Sequence, residues 1–176
     1  MPRALILAAG AGRRFGGPKQ LAQLDGRPLL AHVLALAAPY APLVVLGAHA
    51  DAIRAAVDVG DHVVAEDWAD GQSASLRAGV AALGDVDRVL VLLGDQPWIT
   101  PAVVEGVLAL DGDAARATYA GVPGHPVALG RPVLDRVREL RGDVGARDLL
   151  ADFEVRTFEA GHLCDPADVD TPEDLP

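Results

Sequence analysis

Between Leu7 and Lys19 the chain reads Leu-Ala-Ala-Gly-Ala-Gly-Arg-Arg-Phe-Gly-Gly-Pro-Lys, with four glycines and three cations in thirteen residues. Glycine lets backbone N–H groups approach phosphate oxygens with no side chain in the way, and nearby cations neutralise the bound charge. The chemistry this favours is capture of a polyphosphate. Two well-known phosphate loops fail on detail. A dinucleotide fingerprint wants a third glycine where Phe15 stands, and the following ~20 residues offer no well-placed carboxylate for a ribose. A P-loop wants Gly-Lys followed by Ser or Thr, whereas Gly17 leads into Pro18-Lys19-Gln20 with no hydroxyl for magnesium.

Charge supports a small anionic ligand. The net charge of −10 excludes general nucleic-acid binding, which needs a basic face. Residues 1–60 nevertheless hold six basic and three acidic side chains, a net of +3 that leaves −13 for the remainder. A positive patch on an acidic protein suits a small anion better than a polyanion. Of the 15 basic residues 14 are arginine, and Lys19 is the single lysine, a position where a compact ammonium replaces the planar fork.

These side chains need a scaffold. Residues 3–8 form an apolar run bounded by glycine, which reads as a buried strand. Further strands are expected at 43–46, 62–65 and 89–93, the last ending on Gly94-Asp95. Helical spacing predicts helices over 28–37, 51–57 and 73–83, with Ser73 or a neighbour as cap, and Thr100-Pro101 opens another. Strands near 115–119, 127–129 and 153–158 follow, with helices near 132–140 and 146–150. Alternation of strand and helix implies an α/β fold, a mostly parallel sheet with helices on both faces in three Rossmann-like layers. Ligands in such folds sit at the carboxyl ends of strands, so the loops after Ala8, Ala65 and Leu93 are the ones to inspect. Length and the absence of a linker or repeat suggest one domain over residues 1–176. No apolar run reaches the ~20 residues of a membrane helix. The N-terminus lacks the pattern of a secretion signal and Cys164 is alone, so a cytoplasmic address is expected.

The spaced pattern Leu-Ala-Ala-Gly-x-Gly-x-Arg-x-Gly-x-x-Lys resembles the signature of sugar-phosphate and cofactor nucleotidyltransferases. From there the chain is similar to the molybdenum cofactor cytidylyltransferases nearly end to end. The likeness runs through Gly26-Arg27-Pro28-Leu29-Leu30, Gly71-Gln72-Ser73-Ala74-Ser75-Leu76, Gly94-Asp95-Gln96-Pro97 and Gly124-His125-Pro126-Val127. It continues in Gly142-Asp143-Val144-Gly145-Ala146-Arg147 and in the stretch from Asp168 to Leu175. Each segment alone is weak; their order and spacing together are specific.

The resemblance implies transfer of CMP from CTP to the phosphate of molybdenum cofactor (molybdopterin carrying molybdenum), with Mg²⁺ and release of pyrophosphate. A molybdenum hydroxylase would receive the product. Such chemistry needs charge neutralisation and in-line positioning more than a protein nucleophile. By resemblance Asp95 and Asp170 would hold the metal, with Asp168 the competing candidate for the second place. Arg14 and Lys19 would act on the triphosphate, while Arg13 sits at a variable position and is expected to face solvent. The strand end and loop from Ala8 and Ala9 through Gly10, Ala11 and Gly12 would line the nucleotide, the last three giving backbone donors to the phosphates. Gly94 would border the same site. Gln72 and Ser73 would read the base, and His125, Asp143 and Arg147 would face the acceptor.

Other readings stay open. The methylerythritol phosphate cytidylyltransferases share Pro18-Lys19-Gln20, but their His-Asp-Ala-Ala-Arg segment is absent here. Molybdopterin guanylyltransferases usually read Leu-Ala-Gly-Gly where this chain has Ala8-Ala9-Gly10. A non-catalytic chaperone delivering molybdenum cofactor would bind without turnover. Relatives labelled as oxidoreductases find no dinucleotide fingerprint or flavin motif here. The chain departs from its branch at Phe15, usually methionine, and at Gly12, often serine.

Overall fold

The architecture comes from a computed structural model that describes residues 1–139 and 149–176. Strands are β1 (Arg3–Ala8), the short pair β2 (Gln23–Leu24) and β3 (Arg27–Pro28), β4 (Leu43–Leu46), β5 (His62–Val64), β6 (Arg88–Leu93), β7 (Ala114–Tyr119), β8 (Val122–Gly130) and β9 (Val155–Glu159). Helices are α1 (Leu29–Ala37), α2 (Ala50–Ala56), α3 (Gln72–Leu83), α4 (Pro101–Leu108) and α5 (Arg131–Glu139). The main sheet has seven strands in the order β5-β4-β1-β6-β8-β7-β9. β1 pairs in parallel with β4 and β6, β4 with β5, and β7 with β9, while β8 runs antiparallel to both its neighbours. The expected α/β/α layering holds, with β8 as the one reversed strand among those described.

β1 lies at the centre because both its faces are apolar. Ala4, Ile6 and Ala8 point into one core, with Leu30 and Val33 of α1 and Val103 and Val107 of α4. Leu5 and Leu7 point into the other, with Leu76 and Val80 of α3 and Val133 and Val137 of α5. A side-chain period of two sends successive residues to opposite faces, so a continuous aliphatic run is what a doubly covered strand requires.

Two expectations need correction. Ser73 does not cap α3; Gly71 occupies that place with φ +109°, and Ser73 lies inside the helix, 4% exposed. Thr100 does precede α4, but its hydroxyl caps nothing. The expected helix over 146–150 falls largely outside the described residues.

Candidate active site

β1 ends at the crevice, and the carbonyls from Ala8 to Ala11 are each held by another part of the chain. Gln20, 2% exposed, donates from Nε2 to Ala8 O at 3.0 Å and to Gly10 O at 3.3 Å. Ala48 N–H donates to Ala9 O at 3.2 Å, and His49 Nε2 lies 2.9 Å from Ala11 O. Among the described residues no hydrogen bond links the N–H groups of Gly10, Ala11 or Gly12 to other parts of the chain outside the regular strands. The carbonyls are tied back and the donors left over, which is the polarity an anion needs. Gly12, at φ +59°, accepts from Gly16 N and Gly17 N to close the turn. A Cβ there would stand 2.0 Å from Gly17 O, so a side chain such as serine does not fit this loop.

Lys19 sits where the loop ends, and two carboxylates from distant segments meet it. Its Nζ lies 2.5 Å from Asp95 Oδ2 and 3.0 Å from Asp170 Oδ1, with the side chain 12% exposed. Burial works to lower its pKa, but the bonds and charges of Asp95 and then Asp170 outweigh it and hold the ammonium above its ordinary value. Arg14, 74% exposed, pairs with the other oxygen of Asp170 at 2.8 Å. Asp95 follows β6 directly, and Gly94 N bonds Leu7 O at 2.9 Å to set the two strand ends side by side.

Asp170 arrives from the far end of the chain by a latch. Val169, fully buried, packs with Leu24 and Leu29, and Phe15, Trp98 and Leu175 lie against them. Val169 N donates to Asp95 O at 3.0 Å, tying one acidic segment to the other. The Asp174 carboxylate accepts from Thr171 N at 2.7 Å and Asp170 N at 2.9 Å, bonds that hold its pKa below the usual range. Asp168 is on the same side: burial, then the charges of Asp95 and Asp170, push its carboxyl up, while a bond from Gln96 works against this. Among the described residues no three His, Cys, Asp or Glu groups converge tightly enough to hold a metal by themselves. Asp95 and Asp170 do share a single cation, the Lys19 ammonium. Two carboxylates so placed fit a hard divalent ion that takes its remaining oxygens from phosphate and water.

A cavity of about 390 Å³ runs over this loop from Lys19 and Asp95 to Trp68, Gln72 and Ser75. Gly10, Ala11, Gly12, Ala8, Ala9 and Gly94 line it. Ser73 is buried and does not line it, whereas Ser75, two positions on, is the hydroxyl on the cavity wall. Arg13 borders the cavity rather than facing solvent alone, whereas Arg14 reaches the site through Asp170.

A second cavity of about 200 Å³ adjoins the first, sharing Leu7 and Gln72. Its wall is mainly aliphatic, from Leu76, Val91, Val127 and Leu129, with Arg116 and His125 as polar heads. β8 reaches it because it runs opposite to β6: Val91 faces Val127, so His125 stands at the carboxyl end of β6. Burial first, and the Arg116 charge second, lower the His125 pKa to about 4, so the imidazole is neutral at pH 7. Tyr119 Oη donates to His125 O at 2.7 Å and fixes the backbone. Asp143 and Arg147 lie outside the described residues.

Several site residues escape sequence reasoning. His49 and Arg116 carry no local motif, and Gln20 stands in the Pro18-Lys19-Gln20 motif with nothing to show that it braces the loop. Asp174 had a signal, since Thr171-Pro172-Glu173-Asp174 has the spacing of a capping box with proline at the first position.

The chain is similar to known proteins over most of its length. A nicotine blue oxidoreductase from Paenarthrobacter nicotinovorans is 32% identical, with 97% of this chain and 93% of that protein covered. The bifunctional protein GlmU of Maricaulis maris is 34% identical over 94% of this chain, which spans only 39% of its length. Among solved structures, Rv0371c from Mycobacterium tuberculosis H37Rv superposes with a TM-score of 0.82 at 32% identity, covering 98% of this chain and 94% of that one. A manganese complex of Rv0371c superposes with a TM-score of 0.81 at 31% identity, with the same coverage. Residues 4–159 match the MobA-like NTP transferase domain, and the chain belongs to that family.

Proposed function

We propose that this protein transfers CMP from CTP to the phosphate of molybdenum cofactor and releases pyrophosphate. The observation that carries the reading is the convergence of Lys19, Asp95 and Asp170 beside a loop whose carbonyls are tied back. An acceptor phosphate oxygen forms a bond to the α-phosphorus of CTP, and the bond from that phosphorus to the α–β bridging oxygen breaks. The charge that builds on the departing pyrophosphate is met by the N–H groups of Gly10, Ala11 and Gly12 and by Lys19 and Arg14. Asp95 and Asp170 would hold Mg²⁺, which when bound withdraws charge from the phosphate oxygens. Gln72 and Ser75 are the groups suited to a pyrimidine edge.

The second cavity suits the acceptor. Its aliphatic wall, neutral imidazole and guanidinium favour a flat ring with uncharged hydrogen-bonding groups over a polyol. Asp143 and Arg147 belong to the acceptor side by resemblance. The lean to CTP rests on Ala9, where guanylyltransferases usually carry glycine. The cytoplasm, which supplies nucleoside triphosphates, is the compartment that suits the reaction, and a molybdenum hydroxylase is the fitting recipient of the product. Among the described residues no helix is long and apolar enough to cross a membrane.

The test is pyrophosphate release by purified protein given each nucleoside triphosphate in turn, Mg²⁺ and molybdenum cofactor. Release with CTP, lowered at least about a hundredfold in Asp95→Asn, is expected. Release with GTP alone moves the protein to guanylyl transfer. Binding of the cofactor without release under any nucleotide favours the chaperone reading and removes the enzyme.

A further inference from the structure

We propose that His49 is a positioning residue that keeps the Ala11–Gly12 peptide turned so that its N–H, and not its carbonyl, faces the triphosphate. The proposal rests on reading the loop as a triphosphate site.

The carbonyls of residues 8 to 11 alternate between two braces. Ala8 and Gly10 are held by Gln20, whose side chain is buried and whose amide nitrogen serves both. Ala9 is held by the backbone N–H of Ala48. Turning any of those three would break a bond to a buried side chain or to the backbone of the neighbouring turn. Ala11 differs, because the side chain that holds its carbonyl, His49, is only half-buried and is contributed from 38 residues away.

The peptide between Ala11 and Gly12 can also turn at little backbone cost. Its rotation changes ψ of Ala11 and φ of Gly12, and glycine accepts φ values of either sign. Gly12 already sits at φ +59°. A turned peptide would withdraw the Gly12 N–H and point the Ala11 oxygen at phosphate oxygens, exchanging an attraction for a repulsion. The imidazole opposes this by donating from Nε2 to Ala11 O.

The segment carrying His49 is packed closely against the loop. A Cβ on Gly47 would stand 2.5 Å from Ala9 O and 2.8 Å from the Cβ atoms of Ala9 and Trp68, so the turn after β4 is packed directly on the loop. His49 then precedes α2 as its first flanking residue, which aims the ring back across the loop.

Two substitutions separate positioning from bulk. His49→Phe keeps the ring and removes the donor; His49→Gln restores an N–H near the position of Nε2. Affinity for each nucleoside triphosphate with Mg²⁺, without acceptor, is measured calorimetrically beside the thermal midpoint. For the nucleotide that wild type binds best, His49→Phe should weaken binding about tenfold, the equivalent of one hydrogen bond. His49→Gln should stay within about twofold of wild type, with both midpoints near it. Equal affinity in wild type and His49→Phe, or equal loss in both variants, overturns the role of His49 while leaving the phosphate site intact. A wild type that binds no nucleoside triphosphate overturns the reading of the loop itself, and His49's role with it.

Discussion

Lys19 stands between Asp95 and Asp170 as a counter-charge, and the same residue is the one cation at the inner end of the glycine loop. Its rarity in an arginine-rich chain was visible in the sequence; its partners were not, because Asp170 lies 151 residues away. A point charge can serve two carboxylates at once in a space where a planar guanidinium would have to choose an orientation. His125 shows the same limit from the other side. Its motif, Gly-His-Pro, was legible, but the cavity that neutralises it depends on Arg116 and on the reversed direction of β8. That environment has a consequence for pH. Folding lowers the His125 pKa from its ordinary 6.5 to about 4, so the unfolded chain binds the proton more readily. The stability this residue allows is complete above pH 6.5 and declines as pH falls toward 4. Urea unfolding across this range should therefore show a shallower acid decline in His125→Gln than in wild type; parallel declines would refute the neutral state.

At the scale of elements, the strands that build the crevice were legible because nothing competes with a doubly buried aliphatic run. β1, β4 and β6 fall within a residue of their expected ends. The start of α3 was less so: serine and glycine both begin helices, and only a backbone at φ +109° decides for Gly71. The small pair β2 and β3 gave no signal of its own, since two-residue strands carry no period. It matters all the same, because it carries Leu24 and leads into Leu29, and those two with Val169 clamp the C-terminal segment against the loop that holds Phe15. Asp170 depends on that clamp. Val169→Ala should cost about 2 kcal/mol in denaturant unfolding and raise the Mg²⁺ concentration needed for half-maximal turnover. Lost stability with an unchanged metal requirement would show that the latch does not position Asp170.

Taken whole, the molecule puts two cavities side by side on an acidic body, with Leu7 and Gln72 as their common wall. The first offers donors and cations, the second an aliphatic pocket with a neutral imidazole. That division suits one charged substrate and one ring-bearing substrate meeting at a shared edge. The open character of the fold, α/β with a mostly parallel sheet, followed from strand and helix alternation; the second cavity did not, because it forms where β8 turns against the sheet's direction. Family membership fixes nucleotidyl chemistry as the frame, and the identity of the transferred group is the claim most worth testing. Separate incubations with CTP labelled at the α- or γ-phosphorus, Mg²⁺ and molybdenum cofactor would follow each phosphorus to its product. The account predicts α-label in the cofactor and γ-label in pyrophosphate. Label from the γ-phosphorus in the cofactor, or none in it from either position, would contradict it.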